Sequence, residues 1–330
     1  GGEVERSRAL LRKAWHKRQG NSAAALALAS SYMDTGEYGG AQEVLEEAVG
    51  EDAADPDLRY ALGEALRRRG RTGDAIRMLE TVHVQHPRAP RVLISLRELY
   101  RESGQWEQAA VLEDAYLQTL PAEVRSNERE RQVQFRYQAA VALPDAAARL
   151  AALDAVVRSD RTFVPAQVSL GDALADTGRT DEARKLWEKA FKASPRLVFV
   201  ERLMASATSQ RERERALALL GKHSDRVDPD GMHLLLASAA LADDRLDAAE
   251  RELTAVADQN AVTVQRGWAE LYHRRGDTTA AWTALSRAAD RLGAAAADHC
   301  CTVCGRFSEA WVGYCEGCER WDTYRSGPEH

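Results

Sequence analysis

A short pattern recurs along the chain and limits what it can fold into. In five places a glycine precedes an alanine by five residues, and the first three of these glycines follow one another at intervals of 34 residues. The five pairs are Gly36–Ala41, Gly70–Ala75, Gly104–Ala109, Gly178–Ala183 and Gly276–Ala281. Self-similarity at a fixed period indicates a repeat architecture, in which one supersecondary unit stacks on the next.

The residue types around each pair predict two helices in every unit. The glycine ends the first helix, because the residue that follows a helix commonly takes a left-handed backbone conformation. The alanine lies where the second helix crosses the first, and a larger side chain there would separate the two. Small residues on the other side of the crossing are Ala29, Gly63, Gly171 and Ala269. Bulky residues beside it are Tyr32, Leu66, Tyr100, Leu174 and Tyr272, and prolines that end the second helices are Pro87, Pro121, Pro195 and Pro229.

This pattern resembles the tetratricopeptide repeat, a helix-turn-helix unit of 34 residues. Units are expected to begin near Ser22, Pro56, Pro90, Val164, Val198, Asp230 and Val262. The resemblance predicts an all-α fold, in which a tetratricopeptide-repeat superhelix, or solenoid, makes up most of the chain. The predicted organisation is a leading helix at residues 1–21, about eight helical hairpins at 22–296 with irregular packing near 124–160, and a separate segment at 297–330.

The first helix of each unit is expected to line a concave surface that suits an extended peptide or a partner helix. The inward positions of the repeat are Tyr60, Glu64, Arg67, Ile94, Glu98, Arg101, Arg266, Glu270 and His273. These residues are candidates for binding a protein partner. The alternative is that they pair with one another at i,i+3 spacing on a solvated surface.

Charge, hydropathy and motif content narrow the class of function. A net charge of -6 argues against a general nucleic-acid binder. No stretch approaches the ~18–20 uninterrupted apolar residues of a membrane span, and no signal peptide opens the chain.

The eight histidines occupy unrelated positions, and neither HExxH nor GxSxG occurs, so we predict no catalytic residues and no enzymatic activity. The sequence does not distinguish a monomer from a homodimer.

All five cysteines lie between residues 300 and 318, which is typical of metal binding rather than of a disulfide scaffold. Cys301 and Cys304 form one CxxC pair, and Cys315 and Cys318 form a second after ten intervening residues. Four thiolates at this spacing predict a tetrahedral site for one ion. Zinc is favoured because closed four-thiolate sites are ordinary structural zinc sites, and an Fe(Cys)4 centre is the alternative. The ion should hold this segment folded, since so short a segment cannot build an adequate core.

Residues beside the two pairs are expected to have lesser roles. Cys300 is predicted to be a bystander thiol, because using it instead of Cys301 would lengthen the pair to CxxxC. His299 is predicted to be an outer neighbour of the site rather than a ligand. The segment's small core, and a face that docks on the last helices, should come from Trp311, Tyr314 and Trp321.

Two known ribbons resemble the run Cys304-Gly305, Trp311-Val312-Gly313-Tyr314-Cys315, Cys318 and Trp321-Asp322-Thr323. One is the N-terminal zinc ribbon of the RadA-type recombination ATPases, and the other is the rubredoxin-like ribbon of the lipopolysaccharide assembly protein B (LapB) family. A recombination ATPase requires a P-loop, and GxxxxGK[ST] does not occur in this chain. Repeats followed by a C-terminal ribbon match the LapB arrangement, and the phrase GEALRRRG at residues 63–70 is similar to that family's early repeats.

The resemblance implies a non-enzymatic adaptor on the cytoplasmic face of a Gram-negative inner membrane. Members of the LapB family regulate lipopolysaccharide synthesis by presenting the lipid A deacetylase to the membrane protease FtsH. They begin with one membrane helix that this sequence lacks, and the start at Gly1-Gly2 is consistent with its removal. The chain as given is therefore expected to be soluble. The alternatives are a rubredoxin-like iron electron-transfer protein and a tetratricopeptide-repeat adaptor with a different client.

Overall fold

The computed structural model describes residues 2–17, 21–291, 299–308 and 310–326. The chain divides into two compact units, Gly1–Leu143 and Pro144–His330, and each is described by itself. The N-terminal unit contains α1 (Gly2–Lys17), α2 (Ser22–Asp34), α3 (Tyr38–Glu51), α4 (Pro56–Arg68), α5 (Thr72–Gln85), α6 (Pro90–Glu102), α7 (Trp106–Thr119) and α8 (Ala122–Ala142). The C-terminal unit contains α9 (Ala146–Ser159), α10 (Val164–Asp176), α11 (Thr180–Ala193), α12 (Leu197–Ala205), α13 (Gln210–Gly221), α14 (Pro229–Ala242), α15 (Leu246–Ala255), α16 (Val262–Arg274) and α17 (Thr278–Arg291), with a short 3-10 helix at Ser224–Arg226.

Consecutive helices pack as hairpins within each unit, which confirms the predicted all-α architecture. In the N-terminal unit α2 packs on α3, α4 on α5 and α6 on α7. In the C-terminal unit the pairs are α10 with α11, α12 with α13, α14 with α15 and α16 with α17. Helix α8 is long, with 21 residues, and α12 is short, with nine. The predicted domain limits stay predictions, and the limit at residue 296 lies outside the described residues.

The turn inside most hairpins is made by the predicted glycine. Gly36, Gly70, Gly104, Gly178 and Gly276 have φ between 72° and 79°. This left-handed conformation carries a steric penalty for residues that have a Cβ. In the α14–α15 hairpin Asp244 takes the same role with φ 56°, five residues before the fully buried Ala249. The glycine-based pattern missed this hairpin because a short polar side chain such as aspartate also tolerates the left-handed region.

Small residues allow the two helices of a hairpin to approach closely, as the pattern predicts. A Cβ added to Gly63 would lie 2.7 Å from the Leu79 side chain, and one added to Gly171 would lie 2.0 Å from Nε1 of Trp187. Real Cβ atoms do not approach other heavy atoms so closely, because repulsion rises steeply below the ~3.5 Å optimum. The recurring glycines on the first helices are therefore requirements of packing.

An ion pair is buried in the N-terminal unit. Arg97 on α6 donates to the carboxylate of Glu113 on α7, and their side chains are 4% and 0% exposed. The Arg97 guanidinium also lies 5.5 Å from the centre of the Tyr116 ring and 5.7 Å from that of Phe135. Burial raises the pKa of Glu113, and the positive charge of Arg97 opposes that rise. Arg97 also pairs with Glu98 at 2.8 Å, so it keeps a partner without Glu113. Glu113 is fully buried and depends on Arg97, since an isolated buried charge is strongly unfavourable.

Helix α13 begins with a capping box. The Ser209 hydroxyl accepts a hydrogen bond from the backbone N–H of Glu212, and the Glu212 carboxylate accepts one from the backbone N–H of Ser209. The same carboxylate accepts a 2.7 Å hydrogen bond from the backbone N–H of Thr208. This Thr208 hydrogen bond outweighs desolvation and, with the charge of Arg184, lowers the pKa of Glu212 to about 2.

Short strands form the ribbon at the end of the C-terminal unit. They are β1 (His299–Cys301), β2 (Phe307–Ser308), β3 (Tyr314–Cys315), β4 (Arg320–Trp321) and β5 (Tyr324–Ser326). Strand β1 lies between β2 and β5 in one antiparallel sheet, and β3 pairs with β4 in a second. Among the described residues, no helix combines the length and apolar character that crossing a bilayer requires.

Candidate metal centre

The first CxxC pair lies at a β-hairpin between β1 and β2. Cys301 is the last residue of β1, and its backbone N–H donates to the carbonyl of Arg306 at 2.9 Å. The backbone N–H of Gly305 donates to the carbonyl of Cys301 at 2.9 Å, and Gly305 has φ 72°. This tight turn brings Cys304 back towards Cys301, so the two sulfur atoms face the same point.

The second CxxC pair repeats this arrangement between β3 and β4. Cys315 ends β3 and pairs in register with Arg320 of β4. The turn that carries Cys318 is completed by Glu319, which has φ 55°. Residue Gly317 lies against the first pair, since a Cβ added to it would be 3.2 Å from Sγ of Cys304.

The four predicted ligands converge. The sulfur atoms of Cys301, Cys304, Cys315 and Cys318 all lie within 4.8 Å of one another. The Sγ atoms of Cys301 and Cys318 are 3.6 Å apart, and those of Cys304 and Cys315 are 3.5 Å apart. A tetrahedral ion with metal–sulfur bonds of ~2.3 Å places its ligands about 3.8 Å from one another. The cluster can therefore bind one metal ion with little rearrangement.

Electrostatics divide the cluster into two buried and two outer sulfur atoms. For Cys301, burial raises the pKa, but the hydrogen bond with Thr323 and backbone N–H groups outweigh it and lower the pKa to about 6. The pKa of Cys315 is also lowered, since hydrogen bonds from the Cys318 backbone and the Tyr324 hydroxyl exceed the effect of burial. Burial, followed by the hydrogen bond to Cys301, raises the pKa of Cys318 to about 12. Four adjacent thiolates repel one another, so full ionisation of the cluster requires a cation.

Two residues that follow the second CxxC pair support the buried sulfur atoms. The Thr323 hydroxyl lies 3.2 Å from Sγ of Cys301, and the Tyr324 hydroxyl hydrogen-bonds Cys315. Both side chains are buried. Their roles were not predicted, although Thr323 belongs to the run that resembles known ribbons. The register of β1 with β5, which pairs Cys301 with Tyr324, decides these contacts, and a sequence pattern does not show that register.

Cys300 and His299 lie on β1 but outside the sulfur cluster. Successive residues of a strand point to opposite faces, so Cys300 points away from the face that Cys301 presents to the cluster. His299 is nine-tenths buried and places Nε2 3.8 Å from the carboxylate of Glu201 on α12. Neither residue is within ligand distance of the four sulfur atoms.

The ribbon is seated on α10 and on the segment before α12. A Cβ added to Gly313 would lie 2.6 Å from Cβ of Pro165, so the two backbones are in close contact. The rings of Phe163 and Trp321 pack with their centres 5.5 Å apart, and Arg196 pairs with Asp322 at 3.2 Å. The prediction of docking on the last helices did not identify these contacts. They depend on Phe163 and Pro165 at the start of α10 and on Arg196 before α12, and none of these residues carries a ribbon signal.

The predicted groove residues of the N-terminal unit lie on α4 and α6. Arg67 pairs with Glu64 at 3.0 Å, and Arg101 pairs with Glu98 at 2.7 Å, which are the i,i+3 pairs of the alternative interpretation. The hydroxyl groups of Tyr60 and Ser95 are 3.2 Å apart and connect the two helices. Ile94 is half-buried on α6. The tyrosine and the charged residues of this set therefore already have local partners.

The predicted residues of the C-terminal unit, Arg266, Glu270 and His273, line a groove of about 840 Å³. We call it the C-terminal groove. Its walls come from α12, α14, α15, α16, α17 and His299 of the ribbon. Most of its surface is apolar, and its apolar lining includes Leu234, Leu235, Leu241, Trp282 and Leu285.

Trp282 and Leu285 on α17 are 72% and 47% exposed, which is unusual for large apolar side chains. The repeat pattern did not predict these two residues, because the inward positions of the repeat lie on the first helix of each unit.

Comparison with known families identifies the repeats. Two models described as tetratricopeptide repeat match the chain, one at residues 2–65 and 32–92 and the other at residues 136–197. The matched segments cover less than half of the chain. The search of curated proteins gave no match.

Solved structures that match this chain do so at low identity. A tetratricopeptide repeat protein from Parabacteroides merdae is 17% identical, with a TM-score of 0.34 over 79% of this chain and 97% of that one. YrrB, described as a tetratricopeptide repeat protein with an unusual peptide-binding site, is 17% identical, with a TM-score of 0.37 over 58% of this chain and 96% of that one. A structure of Naa15/Naa10 bound to HypK-THB is 14% identical, with a TM-score of 0.48 over 89% of this chain and 57% of that one. We infer no partner from these similarities.

The hairpin geometry and the family models together show an all-α fold of tetratricopeptide-repeat type, with a four-cysteine ribbon after the repeats.

Proposed function

We propose that this protein is a non-enzymatic adaptor that binds a protein partner in the C-terminal groove. The observation that carries the proposal is the exposure of Trp282 and Leu285 on one side of a large apolar groove. Exposed apolar patches with a polar rim mark interaction sites, and tryptophan is enriched among the residues that dominate binding energy. Arg266, Glu270 and His273 supply the polar rim, and an amphipathic helix or extended peptide fits such a groove.

The four cysteines are proposed to hold one zinc ion. Support comes from the sulfur separations of 3.5 Å and 3.6 Å, which are close to the ~3.8 Å edge of a zinc–thiolate tetrahedron. The ion would stabilise the ribbon, and through the ribbon the wall of the groove that His299 provides. The alternative is an iron centre for electron transfer, which the partly exposed outer sulfur atoms would also permit.

Metal analysis separates these two possibilities. We expect one zinc per chain and no visible absorption, whereas an Fe(Cys)4 protein is red when oxidised. Cys315→Ser should lose the metal and unfold the ribbon. If this variant kept an intact fold and bound its partner fully, the structural role of the site would be wrong.

The partner that we propose follows from the resemblance to the LapB family. The arrangement of repeats followed by a ribbon, with the run from Cys304 to Thr323, supports an adaptor that regulates lipopolysaccharide synthesis at the cytoplasmic face of the inner membrane. In this role the chain would present the lipid A deacetylase to an FtsH-type protease. An adaptor with a different client is the second candidate, and it rests on the same groove.

Binding of the purified deacetylase to the full chain tests this role. We expect micromolar or tighter binding that Trp282→Ala weakens about 30-fold, as expected for an interface residue worth ~2 kcal/mol. Arg287→Ala, on the exposed side of α17 and outside the groove, is the matched control and should bind normally. If the deacetylase does not bind, the LapB-type client is wrong, and pull-downs from membranes with and without residues 299–326 would identify another. Binding that is equal in the parent and Trp282→Ala would contradict the groove.

A further inference from the structure

A second cavity lies where the ribbon meets the repeats of the C-terminal unit. It has a volume of about 210 Å³ and is bounded by β5, the start of α12 and the 3-10 helix. We call it the arginine cavity, because its lining includes Arg196, Arg226 and Arg325, together with Asp228 and Trp311. It shares no lining residue with the C-terminal groove, and it contains none of the four cysteines.

Positive charge exceeds negative charge around the arginine cavity. Arg196 and Arg325 both contact the carboxylate of Asp322, at 3.2 Å and 3.4 Å, so one carboxylate serves two guanidinium groups. The Asp228 carboxylate is engaged as the N-cap of α14. The Arg226 side chain forms no hydrogen bond or ion pair with any residue that the structure describes. Burial lowers the pKa of Arg325, Asp322 opposes this, and the charge of Arg196 lowers the pKa further.

Hydrogen-bond donors at the cavity also lack acceptors. Nε of Arg196 is buried and has no hydrogen-bond partner within the described part of the chain. The first N–H groups of a helix have no acceptor within the helix. Arg196, the N-cap residue of α12, provides no side-chain acceptor for them either. Leu197 and Val198, which carry two of these groups, line the cavity. A negatively charged acceptor in the cavity would therefore have unpartnered donors within its lining.

We propose that the arginine cavity binds a small oxyanion, namely a phosphate or carboxylate group carried by a small molecule. Guanidinium groups donate paired hydrogen bonds to such oxygens, and the N-terminus of α12 adds donors and a favourable dipole. Trp311 and Val198 provide an apolar wall for the carbon part of the ligand. The volume is below the ~300 Å³ of drug-sized sites, so the ligand is small. This inference does not rest on the adaptor role, and either can fail without the other.

Titration of the full-length chain with inorganic phosphate, glycerol phosphate and acetate, each at constant ionic strength, tests the proposal. We expect saturable binding of one equivalent by calorimetry and a saturable rise in Tm, because a ligand that binds only the folded state stabilises it. The tightest of the three distinguishes free phosphate, a phosphorylated molecule and a carboxylate. Metal content is measured before and after titration, so that loss of the ribbon ion is not mistaken for binding.

Two substitutions make the test specific. Arg226→Gln removes a charge that has no partner in the described structure, so it should fold normally and weaken binding about tenfold or more. Arg211→Gln removes an exposed charge from α13, outside the cavity, and should bind as the parent does. The proposal is overturned if none of the three ligands shows saturable binding, or if Arg226→Gln binds as tightly as Arg211→Gln.

Discussion

Replacing Gly313 with alanine should separate the ribbon from the repeats while leaving the sulfur cluster intact. The added Cβ would lie 2.6 Å from Cβ and 2.9 Å from Cγ of Pro165. Carbon atoms in contact prefer ~3.5–4.0 Å, so the overlap is about 1 Å. Proline has a ring fixed to its backbone and cannot turn away, and Pro165 is anchored in the first turn of α10. The ribbon must therefore shift by about 1 Å.

Overpacking of this kind typically costs about 1–3 kcal/mol. The shift would also loosen the contact between Phe163 and Trp321, whose ring centres are 5.5 Å apart, so we expect a value near the upper end. The substitution replaces none of the four cysteine ligands. The metal content of Gly313→Ala should therefore equal that of the parent.

Hydrogen exchange and denaturant unfolding measure this effect. We expect faster exchange in the ribbon and in α10, with a lower free energy of unfolding for the C-terminal unit. Gly221→Ala is the control, because a Cβ at the end of α13 meets nothing within 4 Å. A Gly313→Ala protein as stable as this control, with unchanged exchange in the ribbon, would refute the close contact between Gly313 and Pro165.

Three further substitutions test other parts of the structure. Thr323→Val removes the hydroxyl beside Cys301 and should weaken metal affinity about 10–100-fold in competition with a chelator, as losses of outer-shell partners do, and an unchanged affinity would contradict its supporting role. Arg97→Met leaves Glu113 buried without its partner and should lower the free energy of unfolding by about 3–5 kcal/mol, whereas a change below 1 kcal/mol would show that the pair is not buried in solution. Because the folded pKa of Glu212 is about 2 and thus below its ordinary value of 4.5, its contribution to stability is present above pH 4.5 and is lost as the pH falls towards 2. Glu212→Gln should remove that part of the acid sensitivity in pH-dependent melting curves, and identical pH profiles for the two proteins would count against it.

The sequence predicted the hairpins well because their determinants are local. Each hairpin needs a left-handed turn residue, a small residue at the helix crossing and a bulky residue beside it. All three lie within one repeat of about 34 residues, so each recurs in the sequence as a recognisable residue type. The exception follows the same physics. Asp244 replaces the expected glycine, since aspartate also adopts φ 56°, and a pattern built on glycine alone does not find it.

The groove was predicted only in part. Arg266, Glu270 and His273 line it, but Trp282 and Leu285 supply its exposed apolar surface from the second helix of the last hairpin. In the N-terminal unit the predicted residues Glu64 and Glu98 form ion pairs with arginines three residues away, as the alternative interpretation expected. The residue type at an inward position does not show whether its side chain already forms an ion pair with a neighbour or is available to a partner protein.

Residue spacing alone predicts the all-α repeat fold and the cluster of four cysteines, because both are encoded in the positions of a few residue types. Two CxxC pairs joined by ten residues bring four sulfur atoms within 4.8 Å once each pair forms its turn. The position of the ribbon on α10, and the arginine cavity beside it, became visible only in the three-dimensional structure. Arg196 and Asp322 meet although 126 positions separate them, and Gly313 meets Pro165 across a similar distance in sequence. Such contacts depend on the packing of whole elements, and no periodic signal in the chain records them.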